Sequence, residues 1–210
     1  MNGLLKCYTV IMVLGSLFIA GFVMAIEEPN YAIIEKLDNF ELRSYEPRIV
    51  AQTLVSGSMD KASNDGFRRI ADYIFGNNRT DDGTQQKVSM TVPVTLQPQS
   101  ENISMTTSAS LSQSDGQWRV EFLMPNQFTL ETLPTPNNLV VTLREIPAGH
   151  YAAIRFSGLA DEVVIAKRTT ELINWLDNRN ITPVGQPILA RYNSPWSLPF
   201  LRRNEVMVAY

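Results

Sequence analysis

The chain has 210 residues, 44% hydrophobic and 19% charged, the balance of one ordinary folded domain. A formal net charge of −3, a pI of about 5.3 and the lack of any basic run point away from nucleic acid as a partner. One cysteine, Cys7, and one histidine, His150, exclude an internal disulfide, a cysteine-held zinc or iron–sulfur cluster and a histidine-rich metal site.

Residues 7–26, CYTVIMVLGSLFIAGFVMAI, carry no charge, follow Lys6 and precede Glu27 and Glu28. The pattern is that of an export segment. As a signal peptide it would be cleaved after Ala25, with Val23 and Ala25 at −3 and −1. As an uncleaved anchor it is long enough, since about 20 apolar residues span a bilayer. Cys7 precedes the apolar run instead of closing it, so there is no lipobox. In either case the positive side stays inside, and the domain, residues 27–210, is expected outside the cytoplasm, periplasmic or otherwise extracytoplasmic. Membrane association through residues 7–26 follows if the segment is retained.

EKLDNFELRSYEPRIVAQTLV (35–55) alternates and is rich in β-branched and aromatic residues, which predicts strands. Ser56-Gly57 ends them. A helix follows over about 60–75, with Ala62, Gly66, Ile70, Tyr73 and Ile74 on one side and Phe67 at the flank. Lys61, Asn64, Asp65, Arg68 and Asp72 take the other side. Gly76-Asn77 closes it. NNRTDDGTQQ (77–86) is expected to be a solvated loop. Strands are expected at 87–97 and 118–125, around a polar stretch, 98–117. LPTPNN (133–138) is the connector to the second half.

The second half repeats the first. LRSYEPRIVAQTLVSG (42–57) aligns with LREIPAGHYAAIRFSG (143–158) without a gap at an offset of 101, with Leu42/Leu143, Arg43/Arg144, Ala51/Ala152, Ser56/Ser157 and Gly57/Gly158 identical. Asp60 and Asp161 match at the same offset. A second helix over about 161–178 stacks Ile165, Leu172, Trp175 and Leu176, and strands follow at 187–193 and 204–210. The expected fold is α+β in one domain, with halves at about 31–132 and 139–210, each with antiparallel strands and one helix, related by a pseudo-two-fold axis.

Between the last two strands lies YNSPWSLPFLRR (192–203), a loop with unusual apolar content: Trp196, Leu198, Phe200 and Leu201, then Arg202 and Arg203. Two readings stand. It is a rigid lid with its aromatics turned inward, or a surface that meets a ligand. Arg202 and Arg203 either pair with nearby carboxylates or meet an anionic ligand.

Four stretches, QQKVSMTVPV (85–94), WRVEFLMPNQFTLETLPTPNN (118–138), IRFSG (154–158) and YNSPWSLPFLRRNEV (192–206), occur in the order found in the SOUL, or haem-binding protein, family. From about Tyr31 to Tyr210 the chain resembles that family. The resemblance implies a distorted β-barrel of two four-stranded sheets with two helices. It also implies non-enzymatic, weak and reversible binding of haem or free porphyrin in a shallow apolar groove, walled by the first helix and the loop before the last strand. Carried onto this chain, the groove residues would be Phe67, Arg68, Trp196, Leu198, Phe200 and Arg202. Arg68, Arg202 or Arg203 would meet the propionates. Asp65 and Asp72 set this chain's first helix apart from the more basic helix of the family.

His150 reads as a strand-edge side chain and is also the one imidazole that could ligate haem iron axially. Met59, Met90, Met105, Met124 and Met207 read as core filler. Asn78, Asn102 and Asn180 begin N-x-S/T sequons. A monomer is expected. The rival functions are a binding module for another small amphipathic ligand or a protein partner, with haem incidental, and an enzyme, for which no nucleophile, base or metal motif is present.

Overall fold

The computed structural model describes residues 26–99, 116–194 and 196–210. Residues 7–25 of the export segment, Asn102 and Met105 lie outside the described residues.

Strand alternation and capped helices build the molecule in chain order: β1 (Tyr31–Leu37), β2 (Phe40–Tyr45), β3 (Arg48–Ser56), α1 (Met59–Ile74), β4 (Asn78–Arg79), β5 (Val94–Gln99), β6 (Gln117–Leu123), β7 (Thr135–Pro136), β8 (Val141–Ile146), β9 (Gly149–Phe156), α2 (Glu162–Asp177), β10 (Val184–Arg191) and β11 (Asn204–Ala209). A 3-10 turn, Pro199–Leu201, precedes β11. Among the described residues nine strands form one antiparallel sheet in the order β1-β2-β9-β11-β10-β5-β6-β3-β8, while β4 and β7 pair separately.

Each helix starts on a side-chain cap. Ser58 Oγ accepts from the Lys61 amide and Asp161 Oδ1 from the Val164 amide. An aspartate stands at each helix start as expected, but the matched pair differ in role: Asp161 is a cap, whereas Asp60 lies inside the first turn of α1. Gly76, at φ +118°, takes the chain out of α1, and Asn180, at φ +56°, does so beyond α2.

Successive strand residues point to opposite faces. On one face Leu42, Ala51, Val55, Leu96, Val120, Phe122, Ile154, Leu189 and Val206 join the buried sides of both helices in the main core. There α1 packs on β3 and β6, and α2 on β9 and β11. Phe40 stacks on Trp175 with centroids 5.0 Å apart.

The other face is concave, and connection lengths explain why. Two residues join β2 to β3, and two join β8 to β9, yet in each case the joined strands lie on opposite flanks of the sheet. Three peptide steps span at most about 11 Å. The flanks must therefore approach at that end, and the sheet curls into a trough. There the Arg48 guanidinium lies 4.8 Å from the Tyr45 ring and 5.2 Å from the Tyr151 ring. The edge strands β1 and β8 are not hydrogen-bonded to each other. The expected barrel of two four-stranded sheets is thus corrected to one open, curled nine-stranded sheet.

The trough carries charge. Arg43, on β2, meets Glu205, on β11, and Arg144, on β8, meets Glu121, on β6. These two arginines are the identical positions at offset 101, and each pairs with a glutamate of the other half.

Three further expectations are corrected. Lys87–Pro93 is not strand; the Val88 amide donates to the Ile74 carbonyl at the end of α1. Asn78, within the expected solvated loop, is buried, and its Nδ2 donates to the Tyr73 and Gln86 carbonyls, so its sequon is closed in the folded state. The 133–138 connector is held: Leu133 is in the core and the Tyr73 hydroxyl donates to the Pro134 carbonyl. Met59, Met124 and Met207 are buried as expected, while Met90 is exposed.

Candidate functional site

The chain must reverse between the neighbouring strands β10 and β11, and residues 192–203 do so on a backbone frame. The Tyr192 amide donates to the Arg203 carbonyl (3.1 Å), and the Arg203 amide to Asn193 Oδ1 (2.6 Å). Ser197 N donates to the Ser194 carbonyl (3.0 Å), and the Gly158 amide to the Pro199 carbonyl (3.0 Å). The last contact pins the loop tip to the β9–α2 connection.

Because main-chain groups and Asn193 hold the loop, its large side chains are left outside. Trp196 is 93% exposed and Phe200 70%, with Leu198 and Leu201 also exposed. Leu159, beside Gly158, and Val163, in the first turn of α2, add exposed apolar surface on the adjoining connection. The lid reading is overturned, since the aromatics face solvent. This clustered apolar surface makes the loop the candidate site.

Arg191, at the end of β10, ties this surface to α1. Its Nη1 donates to Ser63 Oγ (2.9 Å) and its Nη2 to the Ala160 carbonyl (3.1 Å). Burial lowers the Arg191 pKa from its ordinary value; the Asp60 charge opposes that and the Arg202 charge adds to it. Arg202 Nε donates to the Ser197 carbonyl at 2.9 Å, so this guanidinium stands at the loop's own rim. One turn beyond Ser63, Phe67 is half-buried against Phe122, with centroids 5.4 Å apart. Arg68 is exposed and bonded to Asp65 at 2.6 Å.

The structure therefore brings Trp196, Leu198, Phe200 and Arg202 onto one loop and links that loop through Arg191 to the helix that carries Phe67 and Arg68. Arg203 belongs elsewhere. Its guanidinium lies 3.7 Å from the Tyr192 ring and pairs with Glu28 and Glu205, which removes it from the expected propionate contacts. His150 is not brought to the site. It is exposed at the start of β9, stacked on Tyr210 with centroids 5.6 Å apart. The loop meets the far end of that strand, at Gly158, roughly 25 Å away along extended chain. Among the described residues no group of three His, Cys, Asp or Glu could hold a metal ion.

The family model described as SOUL heme-binding protein matches residues 26–209. The chain belongs to the SOUL heme-binding protein family. Solved structures similar to this SOUL chain include the C-terminal domain of EcmrR, at 12% identity and a TM-score of 0.58, covering 85% of this chain and 96% of that one. An uncharacterized conserved protein from Listeria innocua aligns at 11% identity and a TM-score of 0.61, over 81% of this chain and 91% of that one. A hydrolase from Listeria innocua aligns at 13% and 0.54, over 83% and 93%. At these identities the likeness extends to the fold alone. No curated protein matches the chain.

Sequence reasoning missed Arg191, Leu159 and Val163. Leu159 sits directly after the repeated Ser-Gly, where the first half has Ser58, and that difference was the available signal. Nothing local to Arg191 distinguishes it from an ordinary strand-end cation.

Proposed function

We propose that this SOUL-family protein binds haem or a free tetrapyrrole without catalysing its conversion, as a monomeric carrier or buffer outside the cytoplasm. The observation that carries the reading is the solvent-facing apolar surface of Trp196, Leu198, Phe200 and Leu201, held by backbone bonds in a chain of this family. A flat macrocycle needs such a surface, and its carboxylates need cations at the rim. Arg202 and Arg68 are placed to serve; Arg68 would exchange or share its Asp65 partner.

The residues fit the macrocycle better than they fit iron. The sole histidine is at the far end of β9, and the loop carries no imidazole or thiolate. Recognition then rests on the porphyrin face and the propionates. It is shallow and reversible, and indifferent to the metal. The apolar N-terminal segment, residues 7–26, supports placement across the membrane, either released or anchored. The swapped Arg43–Glu205 and Arg144–Glu121 pairs support descent of the two halves from one duplicated unit.

Haemin and protoporphyrin IX titrated into the purified full chain, followed by absorbance and tryptophan fluorescence, test the reading. Both ligands should saturate near one equivalent, with affinities within about fivefold of each other. Trp196→Ala with Phe200→Ala should abolish saturation while changing stability by less than about 0.5 kcal/mol, since both side chains are exposed. His150→Ala should leave the Soret band in place. Saturation retained in the double variant, or a Soret shift in His150→Ala, refutes this site. A loop surface that binds neither ligand points to the partner-binding alternative.

A further inference from the structure

We propose that the trough, on the face of the sheet turned away from both helices, is a second and independent binding site for a small amphipathic carboxylate. The curl of the sheet encloses a cleft of about 280 Å³ there, at the lower end of small-molecule sites and too small for a tetrapyrrole. Leu123, Tyr151, Ile188 and Met207 supply apolar lining, and Arg48, Arg119, Arg144 and Glu121 supply charge.

The charges do not balance within the cleft. Glu121 is occupied: Oε1 accepts from Arg144 Nη2 at 2.5 Å and Oε2 from Thr95 Oγ1 at 3.4 Å. That pair is neutral. Arg119 gives its two Nη groups to neutral amides, Gln97 at 3.5 Å and Gln99 at 2.6 Å. Arg48 lies over the Tyr45 and Tyr151 rings. Neither Arg48 nor Arg119 has a carboxylate partner among the described residues. Moreover, Arg48 Nη1 and Arg119 Nε are buried without any hydrogen-bond acceptor among those residues. Buried donors are almost always satisfied, and an acceptor entering the cleft, a ligand carboxylate in place of water, would satisfy these two.

Two excess positive charges, two orphaned guanidinium nitrogens and an apolar wall together specify the ligand class. The planar fork of arginine matches a carboxylate, and the apolar lining asks for a short hydrocarbon or aromatic body. A cationic amphiphile would meet two uncompensated arginines and is excluded. The two nitrogens lie on different strands, β3 and β6, so substituting each arginine in turn identifies the carboxylate's partner.

Calorimetric titration of the full chain, in a nonionic detergent, with octanoate, octan-1-ol and octylamine is the test. Octanoate should bind saturably near one equivalent and raise the melting temperature; the neutral and cationic analogues should not. Arg48→Gln or Arg119→Gln should weaken octanoate binding by about tenfold or more, the scale of one charge-assisted hydrogen bond, and if one variant fails to fold the other carries the comparison. Trp196→Ala with Phe200→Ala should leave octanoate binding intact, which keeps this result separate from the fate of the tetrapyrrole reading. Equal binding of octylamine, wild-type affinity in both arginine variants, or loss of octanoate in the loop variant overturns the proposal.

Discussion

Arg43 and Glu205 are 1% and 0% exposed and face each other in two parallel hydrogen bonds, Nη1 to Oε2 at 2.7 Å and Nη2 to Oε1 at 3.1 Å. The Tyr192 hydroxyl donates to Glu205 as well, and Glu41 takes the remaining side of Arg43. Two buried ions survive only because every lone pair and proton finds a partner. Removing one partner strands the other, so Arg43→Met should cost about 3–5 kcal/mol in urea unfolding, and Glu205→Gln should also destabilise. The pair also sets the acid limit. Burial raises the Glu205 pKa, but the Arg43 and Arg203 charges and the Tyr192 hydroxyl outweigh it, and the carboxyl is held below its ordinary value. Glu41 is lowered too, against burial, by Lys36 and Arg43. A carboxyl depressed in the folded state binds fewer protons folded than unfolded. Its stabilisation is complete above the unfolded value of about 4.3 and is lost as pH falls through the folded one. Thermal melts between about pH 3 and 7 should therefore be flat near neutrality and fall only in acid. Glu205→Gln should melt lower throughout, with a shallower acid fall. A wild-type melting temperature that already declines well above pH 5 would contradict this assignment.

Glycine in mid-helix ordinarily costs about 1 kcal/mol relative to alanine, yet Gly66 sits at the centre of the buried face of α1. A Cβ there would lie 2.5 Å from the Val120 side chain on β6, so the glycine is what lets helix and sheet approach. Gly66→Ala should destabilise by about 1–3 kcal/mol despite its better propensity. In a Val120→Ala background the same change should become neutral or stabilising, a coupling that a double-mutant cycle by denaturant unfolding measures directly. Helices of this kind were legible in the sequence: the expected 60–75 and 161–178 stand as Met59–Ile74 and Glu162–Asp177, because periodicity, caps and Gly76 are local signals. Lys87–Pro93 reads as strand yet is not one, because its partners are distant; Thr91 Oγ1, for instance, donates to the Leu123 carbonyl. The loop shows the same divide. Its composition announces a special surface, centred on Trp196 and Phe200. Whether those rings faced in or out depended on Gly158, forty-one residues upstream of Pro199, and on bonds no local pattern records.

At the scale of the whole molecule, the internal repeat was legible and its assembly was not. Similar halves suggest two similar sheets side by side, but the strands joined by the two-residue connections, β2 with β3 and β8 with β9, do not pair as hairpins and take partners in the other half instead. β2, from the first half, pairs with β9 of the second, and β8, from the second half, pairs with β3 of the first. Each half therefore lends a strand to the other, and with it an arginine that needs a glutamate across the divide. A chain cut after the 133–138 connector would leave Arg43 without Glu205 and Arg144 without Glu121; β2 would lose its ladder to β9 and keep only β1, and β8 would lose its ladder to β3. Neither fragment 26–138, which keeps Leu133 and β7 with the helix and strand they pack on, nor fragment 139–210 should then fold alone, although each contains a helix and several strands. Each should show little amide protection and no cooperative melt, while an equimolar mixture should recover both, because all the exchanged contacts can form between the chains. A fragment that melted cooperatively by itself would mean that the exchanged strands are decoration on two self-sufficient units. The trough, whose walls come from both halves, would then have no reason to keep its shape.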